Sequence, residues 1–600
     1  MLDFVMDEHI HWRRDFHPSD KPVVSLLEQR KEPYQTTLMR TEEALMELSS
    51  RLKAGSVPAF SPRYLGHMIS DTLMAANLGY LATILYNPNN CSYDVSSTST
   101  ELELEVGKQM ASLFGYDPER AWGHITSGGT IANYEALWVA RNLKSLGQAL
   151  VRCHPELFHQ HSAMQRANLP LGEVVDLMAA LKSRGEFAAL REETAQYTGS
   201  HAGLGKLLVP ASKHYSWVKA ADILGLGQNS LIFVPVDEFF RMDMVALRTK
   251  VLELVESETP ILGVVAVAGT TEVGAVDALD EIVALREELE SERGVGFYLH
   301  LDAAYGGYAR AIFLDEDGEY LDLERMKSEL DRTGALPLDV PWPSRSTYNA
   351  YSATPQVDSI TVDPHKLGYV PYAAGGIVMK DRRVLDMVSY FASYVFDEEE
   401  IAPHLLGSFI MEGSKPGASA ASVWMAHRVL PLNLYGYGQL LGQSIVGAQE
   451  FYTAVEDRVA FEVLGVQFAI EPLVRPDLNI VDFALVEVGN SSLKETNKLN
   501  SFLYDQCSYR SGPVYLEDFI LSKTVLERKT YGASVDSFLN RLGIPEGEWQ
   551  SEERLFLLRS CMMTPYLTSN LTFERYCQRF WNALERHLSR FVMERKLSSS

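Results

Sequence analysis

The stretch SITVDPHKLGYVPYAAGGIVMK, residues 359–380, decides the fold. It opens on a short β-branched run at 359–362, turns at Asp363-Pro364, presents His365-Lys366, passes Gly368 and re-enters an apolar run at 375–379. An amine placed between two strands lies at the edge of a sheet, and in open α/β sheets ligands bind beyond the carboxyl ends of the strands. Burial there is expected to lower the lysine pKa and make it a nucleophile. The alternative is an exposed turn lysine, and the strands on both sides argue against it.

Working outward, apolar runs at 121–126, 206–210, 231–236, 261–268 and 296–301 alternate with helical stretches. Runs this continuous suit a sheet buried on both faces and therefore largely parallel. Thr100 with Glu103 has the form of a capping box opening a helix that ends near Phe114. Residues 1–95 read as a leading segment with a helix at 41–54, residues 96–440 as the large α/β domain, and residues 441–600 as a smaller α+β domain. The last helix is predicted over 573–596, with the closing serines disordered. Residues 145–200 and 313–357 read as insertions, the first helical and polar, the second acidic and then proline-rich.

Three further motifs surround the lysine. In FYLHLDAAYGG, an apolar strand ends on Asp302, and Ala303 and Ala304 leave room for a flat ring. In HITSGGTIANYEAL, a strand leads through Ser127, Gly128, Gly129 and Thr130 into a helix. Glycines let the backbone approach an anion, and a helix N-terminus supplies free N–H groups and partial positive charge. In VPASKHYSWVKAA, His214 follows a short strand, placed to lie flat on a ring and to shuttle protons. Each has a purely structural alternative: a turn aspartate, a helix-capping glycine turn, a packed histidine. Together they supply a lysine, a carboxylate, a phosphate cradle and a stacking ring, which are the parts that pyridoxal phosphate (PLP) chemistry needs.

Composition narrows the rest. Apolar residues at 46% and charged residues at 22% are those of a globular chain. Lys plus Arg number 54 against 79 Asp plus Glu, and a net charge of −25 argues against nucleic acid and anionic membranes as partners. Five scattered cysteines without CxxC spacing, and a start without a signal-peptide core, predict a soluble cytoplasmic protein. The cluster CHPELFHQH (153–161) matches no standard zinc spacing, and no metal is expected.

These pieces, in this order, resemble the group II PLP-dependent amino acid decarboxylases, and within them the bacterial tyrosine decarboxylase branch. The resemblance is carried by YNPNN (86–90), WGHITSGGTIANYEALW (122–138), SKHYSWVKAADILG (212–225), RMDM (241–244), LHLDAAYGGY (299–308), DPHKLGYVPYAAGGIV (363–378), SYFASYVF (389–396) and EGSKPGASAASVW (412–424). It implies the aminotransferase-like architecture of PLP fold type I. It also implies decarboxylation of an aromatic L-amino acid, with L-tyrosine to tyramine foremost. Dopa, phenylalanine, tryptophan or glutamate as substrate, or transamination on the same fold, are the alternatives.

By the same resemblance Lys366 carries the cofactor, Asp302 pairs with its ring nitrogen and His214 stacks on the ring. Ser127, Gly128, Gly129, Thr130 and His365 surround the phosphate, Ala304 lies by the ring, and Thr270 or Thr271 sits near its oxygen. Ser414 reaches the partner's phosphate in a homodimer with shared sites. Tyr394 or His214 returns the proton to the substrate carbon, and Tyr372 and Ser560 face the substrate. Asp363 departs from the asparagine common among relatives. Beside a phosphate it must point away or be paired.

Overall fold

The computed structural model describes residues 1–197, 203–389, 405–512, 517–567 and 570–599. A two-residue strand from the N-terminal segment, β1 (Tyr64–Leu65), comes first in the chain. Seven strands then form the larger sheet: β2 (Trp122–Thr126), β3 (Lys206–Pro210), β4 (Leu231–Val234), β5 (Ile261–Val267), β6 (Tyr298–Ala303), β7 (Ser359–Val362) and β8 (Gly375–Met379). Their order is β2-β8-β7-β6-β5-β3-β4. The pairings β4–β3, β3–β5, β5–β6 and β6–β7 are parallel. β8 runs antiparallel to both β7 and β2. The physical reason is the connection: residues 363–374 return directly without the crossover helix that a parallel neighbour requires. β3, β7 and β8 coincide with the expected strands, and the sheet is buried on both faces as their apolar runs imply.

The second sheet contains β9 (Phe461–Val463), β10 (Val466–Pro472), β11 (Ile480–Glu487), β12 (Ile520–Glu527) and β13 (Arg554–Cys561). Its order is β1-β12-β13-β11-β10-β9, antiparallel except that β1 adds to β12 in parallel. The leading segment thus covers an edge of the C-terminal sheet, a long-range pairing that a two-residue strand does not announce in sequence.

Several expectations need correction. The helix expected at 41–54 spans Glu32–Gly55. The helix opened by the supposed capping box begins at Ser97, so Thr100 lies inside it and makes no cap. Glu103 instead points into the core, where it pairs with Lys415 and accepts from Ile125 N (3.0 Å) and Asn90 Nδ2 (2.7 Å). That buried carboxylate ties β2 to the YNPNN and EGSKPG segments.

The helices of residues 145–197 are not a solvated insertion. Leu146, Leu150, Val174, Met178, Leu181 and Leu190 pack in one cluster with Val209, Leu262 and Ile377 of the sheet. The segment 313–357 also joins the core, with Trp342 buried and its Nε1–H donating to Asp477 O at 2.6 Å. The final helix runs Asn570–Ser599 and takes in serines expected to be disordered.

Candidate active site

The carboxyl ends of β2, β3, β5, β6 and β7 open into one cavity of about 320 Å³. Register sets its floor, where Val267 of β5 and Asp302 of β6 lie side by side, with Thr361 of β7 buried next to Asp302. Ser127, Gly128, Gly129, Thr130, His214, Thr270, Thr271, Asp302, Ala304, His365, Lys366 and Tyr372, all singled out in the sequence, line this cavity.

The anion cradle is made by the turn after β2. Gly129 opens the helix Gly129–Cys153, which has no side-chain cap. Its first N–H groups therefore face the cavity unsatisfied by the helix itself. Close approach requires glycine here, since a Cβ on Gly129 would come 2.9 Å from Asp363 Oδ2 and 3.0 Å from Ala304 Cβ. The Ser127 N–H is already used, donating to Glu412 Oε1 at 2.9 Å. His365 closes the cradle, with its ring stacked on Tyr372 at 4.1 Å between centroids. Burial pulls the His365 pKa below its ordinary value.

Asp302 is buried at the end of β6. Its Oδ2 accepts from Asn133 Nδ2 (2.8 Å) and Trp217 Nε1 (3.0 Å), while Oδ1 accepts only a long 3.3 Å bond from Ala304 N. Two donors on one oxygen fix the carboxylate plane and leave the other oxygen for a cationic partner.

Lys366 Nζ lies 3.1 Å from Asp363 Oδ2. Burial of a lone lysine predicts a depressed pKa, and the structure reverses that sign. Burial pulls the ammonium down, but Asp363 and Asp302 outweigh it and hold the pKa above its ordinary value. Asp363 does not point away. It is paired with Lys366 and approaches His365 Nε2 at 3.5 Å, and its Oδ1 is buried without a partner.

His214 packs its ring 4.0 Å from that of Tyr215 and places Nδ1 2.9 Å from Ser216 Oγ. Its pKa is lowered, chiefly by burial. The two threonines differ in their hydrogen bonding. Thr270 Oγ1 accepts from Ala275 N at 3.0 Å and so holds its own turn, whereas Thr271 is exposed to the cavity.

One residue expected in the cavity lies elsewhere. Ser560 is not in the cavity. It stands in β13 opposite Val481, wholly buried, on the strand face it shares with Leu558, and its hydroxyl has no partner. Strand alternation turns it into the C-terminal core. Ser414 lies outside its own chain's cavity, exposed, with its Oγ accepting from Asn89 Nδ2 at 3.0 Å. Tyr394 lies outside the described residues.

The structure adds groups that the sequence reading missed. Asn133 and Trp217 orient Asp302, and Ser212 brings to the cavity a buried hydroxyl without a partner. Asn133 carried one signal, a polar residue one turn into a helix whose buried side is mostly apolar. A carboxylate for a ring nitrogen, a cradle for a phosphate, an amine and the unpartnered buried hydroxyl of Ser212 are a set that fits PLP.

Comparison with known proteins agrees. Residues 172–314 match the pyridoxal-dependent decarboxylase conserved domain, and residues 447–588 match the tyrosine decarboxylase C-terminal domain. The chain is 43% identical to an L-tyrosine decarboxylase of Levilactobacillus brevis and 44% to one of Enterococcus faecalis, covering 98% of this chain and 94% of each relative. The fold matches that of a solved Oryza sativa TDC with PLP and tryptamine, at a TM-score of 0.61 and 15% identity over 98% of this chain and 96% of that one. Among the described residues no helix is long and apolar enough to cross a membrane, and no three His, Cys, Asp or Glu gather as a metal site. With this much identity along its whole length, the chain belongs to the PLP-dependent amino acid decarboxylases, in the family of the bacterial L-tyrosine decarboxylases.

Proposed function

We propose that the protein decarboxylates L-tyrosine to tyramine and carbon dioxide. One observation carries this reading: a single cavity assembles Lys366, Asp302 and the glycine cradle in a chain 43–44% identical to L-tyrosine decarboxylases over its length. Lys366 would hold the cofactor aldehyde, and the helix beginning at Gly129, with His365, would hold its phosphate. Asp302 would keep a proton on the ring nitrogen, and His214 would cover one face of the ring. Bound PLP supplies the electron sink that takes up the bonding pair as the carboxylate leaves. Tyr372 stands at the mouth, 55% exposed, where a substrate enters.

A phenol taken out of water needs a polar partner. With Ser560 in the core, the orphan hydroxyl of Ser212 is the group in the cavity that supports tyrosine recognition. Sites that hydrogen-bond a substrate hydroxyl reject the analogue lacking it, so kcat/KM for tyrosine should exceed that for phenylalanine by at least about 100-fold. Ser212→Ala should narrow that ratio. Quantifying amine and keto-acid products across an amino-acid panel tests the proposal. A higher kcat/KM for phenylalanine or glutamate removes tyrosine, and keto acid in place of amine removes decarboxylation.

A homodimer with shared sites is part of the same reading. The helices Leu2–Asp15 and Glu32–Gly55 expose Phe4, Trp12, Leu38, Leu45, Met46 and Leu52, apolar surface that a second copy would cover. Ser414, outside its own cavity, is free to serve the partner's. If Tyr394 also crosses, mixing Lys366→Ala and Tyr394→Phe chains gives one intact site per mixed dimer. Random exchange of equal amounts should then restore about a quarter of wild-type activity. No recovery after verified exchange places Tyr394 in its own chain's site or outside the reaction. The five cysteines, none in a disulfide, and the charge of −25 support a cytoplasmic location.

A further inference from the structure

A chain of hydrogen bonds runs behind the cavity wall and ends on His214. It begins at the buried Tyr298, whose hydroxyl donates to Ser359 Oγ at 2.7 Å. Ser359 Oγ lies 2.7 Å from His300 Nδ1, and His300 Nε2 lies 3.3 Å from Thr361 Oγ1. Thr361 Oγ1 donates to Asn133 Oδ1 at 2.7 Å. Asn133 Nδ2 donates both to Asp302 Oδ2 at 2.8 Å and to Ser216 Oγ at 3.0 Å. Ser216 Oγ is 2.9 Å from His214 Nδ1.

Donor counting gives this chain one direction. An ionised carboxylate only accepts, so Asp302 fixes which end of the Asn133 amide faces it. Both Asn133 N–H bonds are then used, and its oxygen takes the single Thr361 proton. Thr361 must accept from His300, which puts the His300 proton on Nε2 and leaves Nδ1 to accept from Ser359. At the other end, Ser216 Oγ accepts from Asn133 and keeps a proton of its own, with His214 Nδ1 within reach as its acceptor. The Ser216 backbone N–H also approaches that nitrogen, at 3.3 Å. Two donors converge on one ring nitrogen, and no room remains there for a proton.

We propose that Ser216 and Asn133 are positioning residues that lock His214 as the neutral tautomer with its proton on Nε2, making it a fixed hydrogen-bond donor that does not exchange protons during turnover. Proton return to the substrate carbon then falls to another group, which removes one of the two candidates the sequence left open. The proposal rests on the reading that His214 covers the cofactor. The charged groups facing His214 oppose one another: Asp302 and Asp363 favour the imidazolium, while Lys366 and Lys219 disfavour it. Burial acts in the same sense as the relay.

The test uses full-length protein labelled with ¹⁵N-histidine, cofactor-free and loaded, with the His214 signals identified by their loss in His214→Gln. Long-range ¹H–¹⁵N correlation reports the protonation of each ring nitrogen. The expected result is an unprotonated Nδ1 and a protonated Nε2 in both states, unchanged from about pH 8 to about pH 5.5. Ser216→Ala should release the lock, giving mixed tautomers and titration near the ordinary histidine value of about 6.5. Its kcat profile should gain an acid limb at that pH while KM stays near wild type, and Ser216→Thr should restore wild-type behaviour. A His214 that titrates in this range in the wild type, or carries its proton on Nδ1, overturns the proposal whether or not Ser216→Ala folds. A locked tautomer with no change in cofactor absorbance in His214→Gln upholds the relay and overturns the stacking role instead.

Discussion

Lys366→Ala abolishes turnover, by at least about 10³-fold, corresponding to about 4 kcal/mol of barrier. Borohydride treatment followed by peptide mapping then finds no lysine labelled, where the wild type carries the pyridoxyl group on Lys366. Lys366 lies between the cradle and Asp302, at the carboxyl edge of β7, in the cavity that gathers the other predicted groups. The variant still folds, because the amine faces a cavity and supports no packing layer. It does lose the Asp363 pair, whose 3.1 Å contact neutralises a buried carboxylate. Breaking a fully buried pair costs about 3–5 kcal/mol, and a pair beside a water-accessible cavity costs less, about 1–3 kcal/mol. The pH dependence has a definite sign. The Lys366 pKa is raised in the fold, so its contribution is fully present below the ordinary lysine value and is lost only as pH rises through the raised one. The Tm gap between wild type and variant, both cofactor-free, should therefore stay constant across neutral pH and close only in strong alkali. A pyridoxyl label on any other lysine in the wild type sinks the assignment.

The parts that were legible in the sequence share a physical cause. β3, β7 and β8 could be read to the residue because strands buried on both faces must be apolar throughout, with punctuation where the chain leaves the sheet. Asp302 and Lys366 could be read because each is a charged residue at the end of such a run. Groups whose roles come from long-range contact were less accessible. Glu103 has the spacing of a cap, yet its partner, Lys415, stands far along the chain. The 145–197 helices look polar in sequence, yet their narrow apolar stripes are enough to bury them on the sheet. Ser560 carries a plausible hydroxyl, and only the register of β13 against β11 reveals that it turns into the core. Even the sign of the Lys366 shift depends on Asp363 and Asp302 meeting one amine, which burial reasoning on a lone lysine leaves out.

Asp302→Asn isolates the electron sink from the scaffold around it. The substitution preserves shape, and the new amide oxygen can accept from Asn133 and Trp217 as Oδ2 does now. Its amide nitrogen then replaces Oδ1, where it faces the cavity and loses only the 3.3 Å bond from Ala304 N. Stability should fall by no more than about 1–2 kcal/mol, in line with one weak bond lost and no cavity created. Chemistry should fall much further. An amide N–H presented to a ring nitrogen stabilises the unprotonated ring, which is the wrong state for accepting the electron pair released with carbon dioxide. A carboxylate against a cation in a water-poor site is worth several times the 1.4 kcal/mol of a tenfold rate change, so kcat should drop by about 10³-fold or more while KM changes little. The folded variant should still bind PLP through Lys366 and the cradle, with altered cofactor absorbance reporting the lost ring proton. A rate within tenfold of wild type would falsify the role of Asp302 as the ring-nitrogen partner. Loss of PLP binding with an intact fold would instead make Asp302 a retention group, with the sink supplied from elsewhere in the cavity.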